Sequence, residues 1–201
     1  MRLRRPSPDD AAEVWRLVRD SRALDLNSPY AYLLLCSHFR ATCLLAEDRG
    51  RVEGAVLGYA PPEDPTAFFV WQIAVADRAR GRGIARQLLV GALAAATPSP
   101  RWLEATVTPD NTASLALFRS VARALGSRFQ CGPHFPAELF PDSHAEEHRI
   151  RIGPLATTAV DELADQLELT LATHPGSSDA ANHRPATSNE TGGTAMTGDR
   201  P

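Results

Sequence analysis

Apolar positions along the first three quarters of the chain follow two periods, one typical of strands and one typical of helices. Short apolar runs rich in β-branched and aromatic residues predict strands, whereas apolar residues spaced three and four apart predict helices. The predicted elements are a strand at 3–5, a helix capped by Ser7 or Asp9, a helix from Pro29, strands at 43–47, 52–60 and 67–75, a helix at 83–96, a strand at 102–107, a helix at 111–125 and a strand at 148–152. This order predicts an α/β fold in which helices flank both faces of a central mixed β-sheet.

The periodic pattern ends near residue 155, which we take as the end of the domain at 1–155. The stretch 156–172 retains apolar residues near one stripe and predicts a short amphipathic helix. Residues 173–201 are rich in Ser, Thr, Gly, Ala and Pro and have no apolar period. Such a segment buries too little surface to offset its ordering entropy, so we expect a disordered C-terminal tail.

Composition and charge argue against several classes of partner. The 201 residues have a formal net charge of -3, which favours neither nucleic acid nor an anionic membrane surface. No apolar run approaches the roughly 20 residues of a membrane span, and the first residues lack the apolar stretch of a signal peptide, so we expect a cytoplasmic protein. Cys36, Cys43 and Cys131 show no metal-ligand spacing and are expected to be buried core thiols, with no metal site.

The segment with the most chemical information follows the apolar strand at 67–75. It contains six residues that lead into the next helix: Arg80, Gly81, Arg82, Gly83, Ile84 and Ala85. Glycines allow a ligand to approach the backbone, and the free N–H groups and dipole of the first helical turn favour an anion. The turn can therefore cradle a pyrophosphate, with charge-assisted contacts from the two arginines. The same spacing also suits an ordinary strand-to-helix turn, and Arg86 breaks the dinucleotide fingerprint GxGxxG.

The spacing Arg80-x-x-Gly83-x-Ala85 after an apolar strand resembles the acetyl-CoA loop of the GNAT acyltransferase superfamily. A second expected piece follows in the right order, namely a strand at 102–107 and then Asn111-x-x-Ser114-x-x-Leu117-Phe118. The resemblance covers about residues 2–153. It implies a GNAT fold and acetyl-CoA as co-substrate.

The same resemblance implies how the cofactor is held. Asn111 and the helix behind it, with Phe118, are expected to line the CoA arm. Two strands are expected to separate at a bulge after the central strand, where the backbone groups of Ile73 and Val75 would pair with the pantetheine. Many GNAT enzymes have a Tyr at the position of Phe118 as general acid for the leaving thiolate. Phenylalanine cannot donate a proton, so another group or water protonates the thiolate, or it leaves unassisted.

Three longer segments narrow the resemblance: LDLNSPYAYLLLCSHF at 24–39, FFVWQIAV at 68–75 and HAEEHRIRI at 144–152. They resemble the diaminobutyrate acetyltransferases of ectoine synthesis. Members of that family acetylate the γ-amine of L-2,4-diaminobutyrate, and a synthase then cyclises the product to ectoine. The resemblance implies a small diamino acid as substrate and a homodimer.

A small dicationic substrate requires carboxylates, and the resemblance favours Asp25 and Glu147. We expect Asp25 to hold an ammonium group and Glu147 to hold or deprotonate the reacting amine. The resemblance also favours three aromatic residues as substrate contacts: Tyr30, Tyr32 and Trp71. The two tyrosines can offer hydroxyl groups, and the tryptophan can offer its ring face to a cation.

Each of these residues also has an ordinary structural interpretation. An Asp before a helix, aromatic residues in a core and an acidic pair in a solvated turn are all common. Three histidines can shuttle protons or lie on the surface: His134, His144 and His148.

Two alternative functions stay open from the sequence. One is a GNAT enzyme that acts on another small amine or on a protein N-terminus, and the other is a non-catalytic CoA-binding interaction module. A pocket formed by Asp25, Trp71 and Glu147 favours a small dication, and a turnover assay separates an enzyme from a binding module.

Overall fold

A mixed eight-stranded sheet organises the chain in the computed structural model, which describes residues 1–22, 24–141 and 143–172. The strands are β1 (Arg2–Arg4), β2 (Leu44–Asp48), β3 (Arg51–Tyr59), β4 (Ala67–Val75), β5 (Trp102–Val107), β6 (Arg128–Phe135), β7 (Glu147–Gly153) and β8 (Leu171–Ala172). Their order in the sheet is β6-β7-β5-β4-β3-β2-β1-β8. Among the described pairs, β4–β5 and β1–β8 are parallel and the other ladders are antiparallel.

Five helices flank this sheet and bury its apolar side chains. They are α1 (Ala11–Ser21), α2 (Pro29–Ser37), α3 (Ile84–Ala95), α4 (Thr112–Ala124) and α5 (Thr157–Gln166). Ser28 caps α2 by accepting a hydrogen bond from the Ala31 N–H, with Pro29 in the first turn. In the three described ranges, no helix has the length and apolar character needed to cross a membrane.

The predicted mixed α/β fold is confirmed, and the elements predicted within it lie close to their predicted bounds. The helix expected within 156–172 corresponds to α5, which buries Val160 and Leu163 in the common core. The domain boundary at 155 stays a prediction, and the tail at 173–201 lies outside the described residues.

Two strands of the structure, β6 and β8, are missing from the sequence prediction. β6 pairs with β7 alone and its residues are mostly exposed, so it shows no apolar alternation. The dipeptide Gly132-Pro133 on this strand is also typical of a loop, although proline is tolerated in a strand at a sheet edge. Cys131 on this strand is exposed, which corrects the prediction of a buried thiol. Cys36 and Cys43 are buried, and burial raises their pKa values to about 12 and about 11.

The central strand β4 contains a bulge that shapes the rest of the sheet. In its ladder with β3, Leu57 lies opposite Gln72 but Gly58 lies opposite Val70, so Trp71 is an extra residue on β4. The bulge therefore lies within the strand, at Trp71, and the expectation of a bulge after the strand is wrong in position. An extra residue bends the strand and increases its twist, so the direction of β4 changes here.

Past the bulge, β4 and β5 separate. Their described ladder runs from Ala67 opposite Trp102 to Val70 opposite Ala105 and ends there. The Ala76 N–H donates to the Glu53 carbonyl on the β3 side, at 2.9 Å. Because backbone groups of successive strand residues point to opposite edges, Ile73 and Val75 direct theirs into the gap.

The bulge leaves no room for a side chain on the opposing glycine. A Cβ atom at Gly58 would lie 2.6 Å from the Phe69 carbonyl oxygen and 2.9 Å from the Phe68 ring. We therefore expect Gly58→Ala to lower the free energy of unfolding by about 1–3 kcal/mol, because backbone or a buried ring must move. Gly132→Ala on β6 is the matched control, since a Cβ there meets no atom within 4 Å. Equal denaturation midpoints for the two variants would contradict this prediction.

Candidate active site

The gap between β4 and β5 opens into two adjoining cavities. The first, which we call the carboxylate cavity, has a volume of about 530 Å³, and its lining includes Asp25, Trp71, Thr106, Phe140, His144 and Glu147. The second, the glycine-turn cavity, has a volume of about 320 Å³, and its lining includes Ile73, Val75, Arg80, Ala85, Ser114 and Leu117. Leu24 and Asn111 line both cavities, so the two are continuous.

The glycine turn has the backbone shape that its sequence predicts. Gly81 and Gly83 have φ angles of 76° and 74°, in the left-handed region that favours glycine, and Gly83 is the N-cap of α3. Ile84 is buried and fixes the start of the helix in the core. Arg80 pairs with Asp77 at 2.8 Å, and Arg82 pairs with Asp48 at 3.3 Å. Both arginines are about half exposed and can exchange these partners for an anion on the turn.

The start of α4 forms the opposite wall. The Asn111 side chain caps the helix by accepting a hydrogen bond from the Ser114 N–H at 3.0 Å. Phe118 is only 1% exposed and belongs to the core, so it lines neither cavity. Phe118 therefore does not reach the cavity where the cofactor arm was expected, and Ser114 and Leu117 line that cavity instead. Phe118 follows Leu117 by about 100° around the helix, and its side chain packs into the core.

One histidine links the two predicted carboxylates in the carboxylate cavity. His144 Nε2 lies 3.1 Å from Asp25 Oδ2 and 3.8 Å from Glu147 Oε1. The His144 ring stacks on Phe140 with centroids 4.2 Å apart, which fixes its plane. The structure thus brings together residues that are 119 positions apart in sequence, Asp25 and His144.

Glu147 is the more buried of the two carboxylates, with a side chain 16% exposed against 82% for Asp25. Burial raises the pKa of Glu147, and the negative charge of Asp25 adds to this, while the Thr106 hydroxyl and the neighbouring His144 and His148 oppose it. Its Oε2 atom is buried without a hydrogen-bond partner in the described part of the chain. Such an oxygen is suited to accept a proton or to bind a cation.

Glu146 and His148 lie outside this arrangement. The exposed Glu146 pairs with His148 at 3.1 Å and does not line the carboxylate cavity. The preference for Glu147 over Glu146 thus agrees with the geometry. His134 stacks on Phe135 at 4.1 Å along β6, so His144 alone of the three candidate histidines contacts both carboxylates.

A chain of buried hydrogen bonds holds the segment that contains Asp25. The Gln72 amide donates to the Asp25 carbonyl at 2.7 Å, and the Tyr32 hydroxyl donates to Gln72 Oε1 at 3.1 Å. The Asn27 N–H in turn donates to the Tyr32 oxygen at 3.3 Å. Tyr32 is fully buried and does not line the cavity, which corrects its prediction as a substrate contact. Gln72 is not among the predicted site residues, and its signal in the sequence is a polar residue within an apolar strand.

The other two aromatic candidates, Trp71 and Tyr30, line different cavities. Trp71, the bulge residue, lines the carboxylate cavity as predicted. Tyr30 is 65% exposed and lines a different groove with Trp15 and Leu33, apart from the carboxylate cavity, so its role as a substrate contact stays a prediction. Tyr30 lies two residues before Tyr32, and a helix turns such residues to different faces.

No group of three His, Cys, Asp or Glu side chains forms a metal site within residues 1–22, 24–141 and 143–172. The groups at hand are carboxylates, an imidazole, an indole face and free backbone. They suit binding of a cation at one end of the gap and of an anion at the other.

Comparison with known proteins agrees with this division. Residues 11–122 match the family model described as the acetyltransferase (GNAT) family. A Chaetomium thermophilum Naa20 structure is 20% identical with a TM-score of 0.59, covers 77% of this chain and 87% of that chain, and shows a likeness of fold alone. The chain belongs to the GNAT acetyltransferase family.

More similar relatives place it within that family. An L-2,4-diaminobutyric acid acetyltransferase from Nocardia farcinica is 48% identical over 77% of this chain and 80% of its own length. The corresponding enzyme from Streptomyces coelicolor is 44% identical over 78% and 94%. The solved diaminobutyrate acetyltransferase EctA from Paenibacillus lautus is 40% identical with a TM-score of 0.72, over 76% of this chain and 93% of that one. Its branch of the family is therefore the diaminobutyrate acetyltransferases.

The two tyrosines of α2 give a direct test of the buried hydrogen bonds. Tyr32→Phe removes the hydroxyl and leaves Gln72 Oε1 without its hydrogen-bond donor, at a cost of about 1–3 kcal/mol in unfolding free energy. Because Gln72 holds the Asp25 segment, we also expect a higher KM for the amine substrate and an unchanged KM for acetyl-CoA. The control is Tyr30→Phe, whose hydroxyl is exposed. Equal steady-state constants for the two variants would show that Tyr32 does not position Asp25.

Proposed function

We propose that the chain transfers the acetyl group of acetyl-CoA to the γ-amine of L-2,4-diaminobutyrate. The observation that carries this proposal is the pair of carboxylates, Asp25 and Glu147, in one cavity at the end of the β4–β5 gap. The solved Paenibacillus lautus relative supports it, because that protein is in complex with L-2,4-diaminobutyric acid and coenzyme A. The product would be the substrate of the synthase that forms ectoine.

In this proposal the glycine-turn cavity holds the cofactor. The N–H groups of residues 81–85 bind the pyrophosphate, and Arg80 and Arg82 supply positive charge. The backbone of Ile73 and Val75, unpaired toward β5, binds the pantetheine arm in place of a neighbouring strand. Asn111 lies where the two cavities meet, so the thioester would come to rest beside it.

The carboxylate cavity would hold the two ammonium groups of the substrate separately. Asp25, the exposed carboxylate, suits the α-ammonium, and the face of Trp71 adds a cation–π contact. Glu147, the buried carboxylate, suits the γ-ammonium and takes its proton directly or through water, because only a neutral amine attacks the thioester. The amine nitrogen then bonds to the carbonyl carbon, the C–S bond breaks, and the thiolate takes up a proton.

We also propose that the protein acts as a cytoplasmic homodimer. The family resemblance supports the dimer, and the use of acetyl-CoA, a metabolite of the cytoplasm, supports the location. Sedimentation analysis of the purified chain tests the dimer, and a purely monomeric species at assay concentrations would contradict it.

A panel of amines tests the proposed reaction. Purified protein is incubated with acetyl-CoA and with L-2,4-diaminobutyrate, 2,3-diaminopropionate or ornithine, and thiol release is followed. One methylene changes the fit by roughly 10–200-fold, so we expect kcat/KM to fall by that factor for the shorter and longer diamines. NMR of the product identifies the acetylated nitrogen. Equal rates for all three, acetylation mainly at the α-nitrogen, or activity only on another amine or a protein N-terminus would overturn the assignment.

The glycine turn provides a prediction about the cofactor alone. Gly83→Pro removes an N–H donor and cannot adopt the φ of 74°, so we expect a higher KM for acetyl-CoA and little change in the diamine KM. Gly50→Pro is the control, because Gly50 has a φ of 77° in the β2–β3 turn and lies outside both cavities. Unchanged acetyl-CoA affinity in a folded Gly83→Pro variant would rule out the pyrophosphate cradle.

The adjacent acidic residues test the role of Glu147. Glu147→Gln keeps the shape of the side chain but cannot take a proton, so kcat should fall by about 10²–10⁴-fold. Acetyl-CoA binding, measured by titration with free CoA, should not change. Glu146→Gln is the control, since that side chain is exposed and pairs with His148 away from the cavity. A similar kcat for both variants would remove Glu147 from the chemistry.

A further inference from the structure

The hydrogen bonds of His144 determine which of its ring nitrogens carry hydrogen. Nδ1 lies 2.6 Å from the Ala145 carbonyl oxygen, and Nε2 lies 3.1 Å from Asp25 Oδ2. A carbonyl and a carboxylate only accept hydrogen bonds, so both nitrogens must donate. A neutral ring with its hydrogen on Nδ1 would point the Nε2 lone pair at a carboxylate. The geometry of these two contacts therefore favours an imidazolium ion at His144.

The charged groups around His144 agree with this assignment. Asp25 faces it from the segment before α2, and Glu147 faces it from β7. Phe140, which stacks on the ring, is uncharged, and Arg22 lines the same cavity. His148 on β7 is paired with Glu146. The hydrogen bond to the Ala145 carbonyl raises the pKa of His144 most, and the hydrogen bond to Asp25 raises it further. Burial of the ring lowers the pKa and so acts against both.

We propose that the proton on His144 neutralises the carboxylates in the free enzyme and leaves when the cationic substrate binds. This inference rests on the proposed function. The two ammonium groups that bind Asp25 and Glu147 meet the His144 cation against the same carboxylates, and like charges so close disfavour each other. The proton on Nε2 then passes to a buffer base. Nε2 becomes an acceptor and takes a hydrogen bond from the ammonium, while Nδ1 keeps its bond to Ala145.

The exchange makes protons and substrate compete for the site. Below the raised pKa of His144, substrate binding has to displace one bound proton, so kcat/KM for diaminobutyrate should fall by about tenfold per pH unit from this group alone. Protonation of Glu147 adds to the fall in the same direction, because its carboxylate form is the one that binds a cation. A variant without the His144 imidazole should lose the part of this pH dependence that comes from His144 and keep the part that comes from Glu147.

Calorimetry measures the released proton directly. Full-length enzyme is titrated with L-2,4-diaminobutyrate in the presence of free CoA, which cannot react, in buffers of different ionisation enthalpy at about pH 6. The slope of the observed enthalpy against the ionisation enthalpy gives the protons released per site. We expect a value near one for the wild type and for His38→Gln, a control at the exposed end of α2. His144→Gln should lower the slope by about one proton.

An NMR titration of the wild-type enzyme makes the test independent of any variant's folding. The ring signals of His144 should titrate with a pKa above the ordinary histidine value in the CoA complex and below it when diaminobutyrate is saturating. Substrate binding without a buffer-dependent enthalpy, an equal slope in His144→Gln, or an unshifted His144 titration would overturn the inference and leave the proposed function standing. A wild type that neither binds nor acetylates diaminobutyrate would overturn both.

Discussion

The half-paired edge of β4 is the constraint on which the rest of the molecule depends. A strand in the middle of an eight-stranded sheet has neighbours on both sides, and buried backbone groups need hydrogen-bond partners. From Trp71 onward, β4 has a partner strand on the β3 side, while its ladder with β5 has ended at Val70. The bulge at Trp71 both begins the separation and turns an indole toward the carboxylate cavity. The bulge at Trp71 thus produces both the unpaired edge of β4 and one wall of the carboxylate cavity. In the proposed function, the edge binds the cofactor and the wall contacts the amine.

The substrate side is built outward from the core. Tyr32 is buried among apolar side chains, yet its hydroxyl holds Gln72, and Gln72 holds the backbone of Asp25. An exposed carboxylate on a loop would otherwise sample many positions, and ordering it costs conformational entropy. Here the core supplies that order before any ligand arrives. Tyr32 and Gln72 fix the backbone of Asp25, whereas His144 fixes its carboxylate group.

Periodicity was enough to predict the sheet and its helices, but not which side of a helix faces a ligand. Tyr32 and Phe118 were assigned to the site from family position, although buried residues three and four positions further on mark both as core. Strand alternation puts Glu146 and Glu147 on opposite faces, but the choice of Glu147 rested on the family resemblance. Gln72 and His144 were not assigned, since their roles depend on the register past a bulge and on a contact over 119 positions. β6 lacked alternation because it is an exposed edge.

The placement of β6 at the sheet edge divides the active site between two independent stretches of chain. Phe135 at the end of β6, and Phe140 and His144 in the connection to β7, form one wall of the carboxylate cavity. The glycine turn follows the C-terminal end of β4 and shares no residue with that connection. In the proposed function, insertions or exchanges between β6 and β7 would therefore change the amine-binding wall and leave the turn proposed for acetyl-CoA unchanged. The wall proposed to bind the amine can vary in sequence independently of the turn proposed to bind acetyl-CoA.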